Sequence, residues 1–133
     1  MSGLLDTNIV VRYLTYDPPH QAEKATAIIE KEEDLYVTDV VIAEVAYVLR
    51  QEYGLQREAV IDQLLRFVRL ENVGVLGFDK HVVLQALLLC RPSGRVSVAD
   101  ALVWAAALGT EHRTVYSLDQ RFPSTGITLL REL

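Results

Sequence analysis

A chain of 133 residues is long enough to bury a core of its own without a disulfide or zinc staple, and its single cysteine, Cys90, has no partner for an intrachain disulfide. Its 18 acids against 13 bases give a formal charge of −5, which argues against a nucleic-acid partner until the acids have been placed. No apolar run approaches the ~18 residues of a membrane span, no targeting segment is legible, and the cysteine usage points to the reducing cytoplasm.

The first strand is expected over residues 3–6, where Gly3-Leu4-Leu5 runs into Asp6. A helix over 7–16 follows, broken by Asp17-Pro18-Pro19, and a second over 20–31 starts behind the prolines. Residues 35–38 read as the second strand. The helix over 40–53 opens with Val40-Val41-Ile42-Ala43-Glu44-Val45-Ala46 and closes at Gly54. Residues 57–70 carry Ile61, Leu64, Leu65 and Val68 on one helix face. A third strand over 73–76 leads to a helix over 79–90, stopped by Arg91-Pro92-Ser93-Gly94. The helix over 98–108, with Trp104 and five alanines, is apolar nearly all round and therefore expected to be central and buried. Strands over 114–117 and 127–130 complete the chain. Strands alternating with helices imply βαβ units, hence one α/β domain over residues 1–133, a parallel twisted sheet of four to five strands flanked by helices on both faces.

Asp6, Glu44 and Asp100 sit inside or directly against these apolar runs, and Asp119 follows Val115-Tyr116-Ser117-Leu118. A carboxylate buried in such a setting must be neutralised, paired or bound to a metal. Each also has an ordinary role open to it. Asp6 could cap the helix after it, as could Thr7 or Asn8. Glu44 lies too far into its helix to cap it, and its rival role is an ion pair with Arg50 or Arg12. Ser97-Val98-Ala99-Asp100 has capping-box spacing, and Asp119, before Gln120-Arg121-Phe122-Pro123, could be a turn residue. Ligand crevices in open α/β sheets, however, lie beyond the carboxyl ends of the strands, where both Asp6 and Asp119 fall. An all-oxygen cluster there suits Mg²⁺ or Mn²⁺. His20, His81 and His112, read as a loop, a helix and a position past a helix end, offer no ligand spacing. Setting the four acids aside leaves 14 of the 18 against 13 bases, so the rest of the chain is near neutral and compatible with RNA.

The four segments Gly3-Leu4-Leu5-Asp6-Thr7-Asn8, Val40 to Ala46, Val98-Ala99-Asp100-Ala101-Leu102-Val103 and Ser117-Leu118-Asp119-Gln120-Arg121-Phe122 stand in an order and spacing that resembles the PIN domain. The resemblance runs from Leu4 to Leu130, and length and composition look most like VapC-type toxin ribonucleases. It implies a metal-dependent endoribonuclease with Asp6, Glu44, Asp100 and Asp119 as catalytic acids and ligands of Mg²⁺ or Mn²⁺, leaving 5′-phosphate and 3′-hydroxyl ends. Thr7, Asn8, Ser97 and Ser117 would support carboxylates or water from behind. Arg12, Arg91, Arg95 and Arg121 are candidates for RNA phosphate contacts, with solvated surface arginines equally open. The toxin resemblance further implies a cognate antitoxin protein across the acidic groove and a homodimer, with Tyr47 and Val48 as apolar surface for either. One departure stands at Ser97, where many members carry a further acid; the reduced ligand set bears on a second metal. A housekeeping RNA-processing nuclease without antitoxin and a noncatalytic binding module are the alternatives. A phosphoacceptor receiver fits poorly, since it needs two neighbouring acids after the first strand and a lysine where Asp119 stands.

Overall fold

The computed structural model describes residues 2–92 and 94–131. Its elements alternate as the apolar patterning requires: β1 (Ser2–Leu4), α1 (Thr7–Thr15), α2 (Pro19–Lys31), β2 (Asp34–Val37), α3 (Asp39–Gln51), α4 (Arg57–Val68), β3 (Val73–Val75), α5 (Lys80–Cys90), α6 (Val98–Leu108), β4 (Thr114–Tyr116) and β5 (Thr128–Leu130). Element types agree with the sequence reading, and ends shift by a residue or two. α1 stops at Thr15 because Tyr16, whose N–H still reaches the Arg12 carbonyl, turns left-handed at φ 55°. α2 starts at Pro19, since a proline at the first helical position gives up an N–H that would have had no partner. That puts His20 in the first turn of α2 instead of the expected loop.

Within each ladder of the described residues the strands run parallel. β2 lies between β1 and β3, with Leu4 opposite Tyr36 and Val37 opposite Val75, while β4 pairs with β5, Tyr116 opposite Leu130. The expected strands are therefore present as a ladder of three and a ladder of two among the described residues. Leu35, Val37, Val73, Val75 and Val115 turn into the core, whereas the alternate positions Leu4, Tyr36, Tyr116 and Leu130 face solvent.

Phe67, Ile42, Leu49, Ile61, Leu64 and Leu87 fill the centre. α6 buries Ala101, Leu102, Trp104, Ala105 and Ala107 against α5, α3 and β4, with Trp104 Nε1 donating to the Thr125 carbonyl at 2.7 Å. The connections are pinned by side chains. Asn72 Nδ2 donates to the carbonyls of Ile29 (2.7 Å) and Glu32 (2.8 Å), tying the end of α2 to the turn before β3. Lys80 Nζ does the same for Leu70 (2.6 Å) and Val73 (2.7 Å), and burial holds its ammonium below the usual lysine range. Asn72→Ala strips two carbonyls of their donor and is expected to cost about 1–3 kcal/mol in urea unfolding. An unshifted midpoint would mean that water replaces the amide without loss. Parallel strands of one ladder end on one edge, so the residues following β1 and β2 share an edge, as do those following β4 and β5.

Candidate active site

β1 carries the chain to Leu5, whose N–H donates to the Tyr36 carbonyl at 2.8 Å, and Asp6 then opens α1 with an extended backbone, φ −82° and ψ 162°. The Asp6 carbonyl accepts the first helical bonds, from Ile9 at 3.1 Å and Val10 at 3.3 Å, but its carboxylate caps nothing. Thr7, next in the chain, is buried and donates its hydroxyl to Glu44 Oε1. That bond fastens the β1–α1 corner to the second turn of α3 and brings the Glu44 carboxylate to the residue beside Asp6. Asn8 lies exposed in the first turn of α1.

α3 is started by Thr38, whose Oγ1 accepts from the Val41 N–H at 3.2 Å. Its inward face buries Ile42, Val45, Ala46 and Leu49, which leaves Glu44 exposed. The ion pair open to Glu44 is not formed: Arg12 donates to Gln21 Oε1 (2.9 Å) and the Tyr53 hydroxyl (3.4 Å), and Arg50 to the Leu55 carbonyl (3.4 Å).

Ser97 caps α6, its Oγ accepting from the Asp100 N–H at 3.0 Å. The reciprocal bond of a capping box, from the Ser97 N–H to the Asp100 carboxylate, is not formed among the described residues, so this acid keeps its oxygens for another partner. The approach to α6 is held by Arg57, whose Nη1 donates to the carbonyls of Val96 (2.8 Å) and Cys90 (3.3 Å). Nothing in the sequence distinguishes Arg57 from a surface base at the start of a helix; its role appears only when α4 packs beside α5. Cys90 is buried, and burial pushes its thiol up to about 11, which excludes it as a nucleophile near neutral pH.

At the end of β4, Ser117 Oγ accepts from the Asp119 N–H at 3.1 Å, and Asp119 Oδ1 accepts from the Arg121 N–H at 2.8 Å. The turn role open to Asp119 is therefore realised through Oδ1, and Ser117 sets its backbone. Among the candidate phosphate contacts, Arg91 makes a two-point pair with Asp62, Nε to Oδ1 at 2.7 Å and Nη2 to Oδ2 at 3.0 Å, which holds the Asp62 carboxyl below its usual range. Arg12 is tied into the Gln21 and Tyr53 contacts. Arg95 and Arg121 are exposed.

The expectation that these acids lie in the core is corrected: Asp6, Glu44 and Asp119 are exposed and Asp100 is half-buried. Periodicity is the reason. Leu5, Ile42, Val45 and Ala101 turn inward, and the acids between them turn out to the rim, where water solvates them. Burial alone therefore does not require a cation here. Among the described residues, no three His, Cys, Asp or Glu side chains gather closely enough to hold a metal ion. The chemistry of the donors does fit a hard divalent cation, since the rim offers carboxylate and hydroxyl oxygens while His20 and His81 lie on α2 and α5.

The PIN domain family model matches residues 3–127, a span that takes in all four acids. No curated protein and no solved structure matches the chain.

Proposed function

The chain belongs to the PIN domain family, and on that footing we propose that it is a Mg²⁺- or Mn²⁺-dependent endoribonuclease, the toxin of a type II toxin–antitoxin pair of the VapC kind. PIN domains are generally nucleases, which supports hydrolysis of a phosphodiester. The observation that carries the reading is the Thr7–Glu44 bond, which joins two of the four acidic segments across 37 residues of sequence. Asp6, Glu44, Asp100 and Asp119 would hold the ion, and the chemistry it supplies when bound is activation of a water and neutralisation of charge on the phosphate. Thr7 holds Glu44 in one orientation. Ser97 and Arg57 fix the start of α6, and with it the place of Asp100. Ser117 fixes the turn that presents Asp119. An exposed rim of carboxylates repels a phosphate strand until a cation offsets it, so binding of RNA and of metal are coupled. With Cys90 buried, no thiol competes with water as the attacking group.

A cognate antitoxin would act by covering the acids, and a homodimer is the expected assembly in the cytoplasm. Among the described residues, no helix is long and apolar enough to cross a membrane. Purified chain freed of any copurifying protein is expected to cut a structured RNA pool in Mg²⁺ or Mn²⁺, leaving 5′-phosphate ends, and to be silent in EDTA. Cutting that survives EDTA would remove the metal from the account. Expression alone is expected to arrest growth, with relief by a co-expressed antitoxin; unaffected growth beside active cleavage would favour a housekeeping nuclease.

A further inference from the structure

A cavity of about 220 Å³ opens where α3, the start of α4 and the start of α6 meet, lined among others by Ala43, Ala46, Tyr47, Arg50, Arg57 and Ala99. Its lining residues neighbour two of the acids in sequence: Ala43 and Tyr47 stand either side of Glu44 in α3, and Ala99 immediately precedes Asp100 in α6. The alanines leave a floor that larger side chains would fill. Tyr47, 65 % exposed, has neither a hydrogen bond nor a ring contact among the described residues. Among the described residues, Arg50 makes only a long bond of 3.4 Å to the Leu55 carbonyl. In a chain of net charge −5, a slot with an apolar floor, a free aromatic side chain and two guanidinium groups has the chemistry for a planar aromatic ligand joined to a phosphate.

We infer that this cavity receives one unpaired nucleobase of the substrate RNA beside the scissile phosphate, with Tyr47 stacked on the base and Arg50 meeting the adjoining phosphate. The inference rests on the nuclease reading and adds to it the place where one base of the substrate is held. The volume lies below the ~300–1,000 Å³ of drug-sized ligand pockets and is of a size for a single ring system. Bases of single-stranded segments and loops can be splayed out to reach it. Stacking tolerates any base, while the donors of Arg57 and Gln51 on the wall give a preference at that one nucleotide.

The test uses short single-stranded RNAs with 2-aminopurine at successive positions, titrated with the intact chain, Tyr47→Phe, Tyr47→Ala and Ala99→Leu in Ca²⁺, which offsets the acids while its looser coordination disfavours hydrolysis, and cleavage sites mapped in parallel in Mg²⁺. The expected result is quenching at one register with the intact chain and Tyr47→Phe. Tyr47→Ala and Ala99→Leu should abolish that quenching, weaken binding by about tenfold and flatten the base preference at the cut. Tyr47→Phe guards against a mere folding defect, because it keeps the ring. If the intact chain binds and cuts RNA while Tyr47→Ala and Ala99→Leu change neither quenching, affinity nor cut sites, the cavity is not a base site and serves something else, a protein side chain included; the nuclease reading then stands. If the intact chain neither binds nor cuts RNA, both fall together.

Discussion

Asp6→Asn and Asp100→Asn are each expected to lower metal-dependent RNA cleavage by about a hundredfold or more, with the unfolding free energy from urea titration within about 0.5 kcal/mol of the intact chain. The two predictions separate because neither carboxylate supports the fold. Asp6 contributes its carbonyl to the start of α1 and no side-chain cap, and Asp100 contributes its N–H to Ser97. Asparagine keeps both backbone roles and the side-chain shape, while it removes the charge and turns one acceptor oxygen into an amide NH₂. Replacing a group that merely orients a metal ligand costs roughly 10–100-fold, so neutralising a ligand itself should cost at least the upper end of that range. Initial rates across a Mg²⁺ series decide the mechanism. A rate partly recovered at high Mg²⁺ marks weakened metal binding, whereas unchanged rates in both variants would take these acids out of the active site. Asp119→Asn is expected to fall between, since asparagine preserves the Oδ1 bond to the Arg121 N–H and with it the turn.

Such contrasts between side chain and backbone are what the sequence cannot supply. The helix over 98–108 was legible because an apolar sequence flanked by Ser97 and Gly109 leaves little choice, and the structure buries it between α3, α5 and β4. The parallel order was legible from strand and helix alternation alone. Exposure of the acids was not, because an apolar context says which neighbours are buried and only the helical phase says that Glu44 is not among them. Arg12 and Arg91 read as candidate phosphate contacts or solvated bases, but their partners come from elsewhere in the chain, Gln21 from beyond a proline turn, Tyr53 from just past α3 and Asp62 from α4. Arg57 had no signal at all, since its two carbonyl acceptors lie 33 and 39 residues away. Local chemistry is written in spacing, whereas contacts between distant elements are written only in packing.

Thr7→Val is the sharpest test of such a contact, with an expected fall in cleavage of about 10–100-fold and a loss of stability nearer 1 kcal/mol. Thr7 is buried and valine is close to it in shape, so the cavity stays filled and the hydroxyl alone is lost. Glu44 is exposed and can turn to water, which limits the cost to the fold but frees the carboxylate from the orientation that Thr7 Oγ1 imposes. Thr7→Ser, which restores the hydroxyl, should regain most of the activity. The decisive comparison places Thr7→Val in a Glu44→Gln background. If Thr7 acts through Glu44, the second substitution adds little to the first, with a coupling of about 0.5–3 kcal/mol between neighbouring groups. Additive losses would mean that Thr7 serves the corner of β1 and α1 for its own sake, and the link between the two acidic segments would have to be sought in another contact.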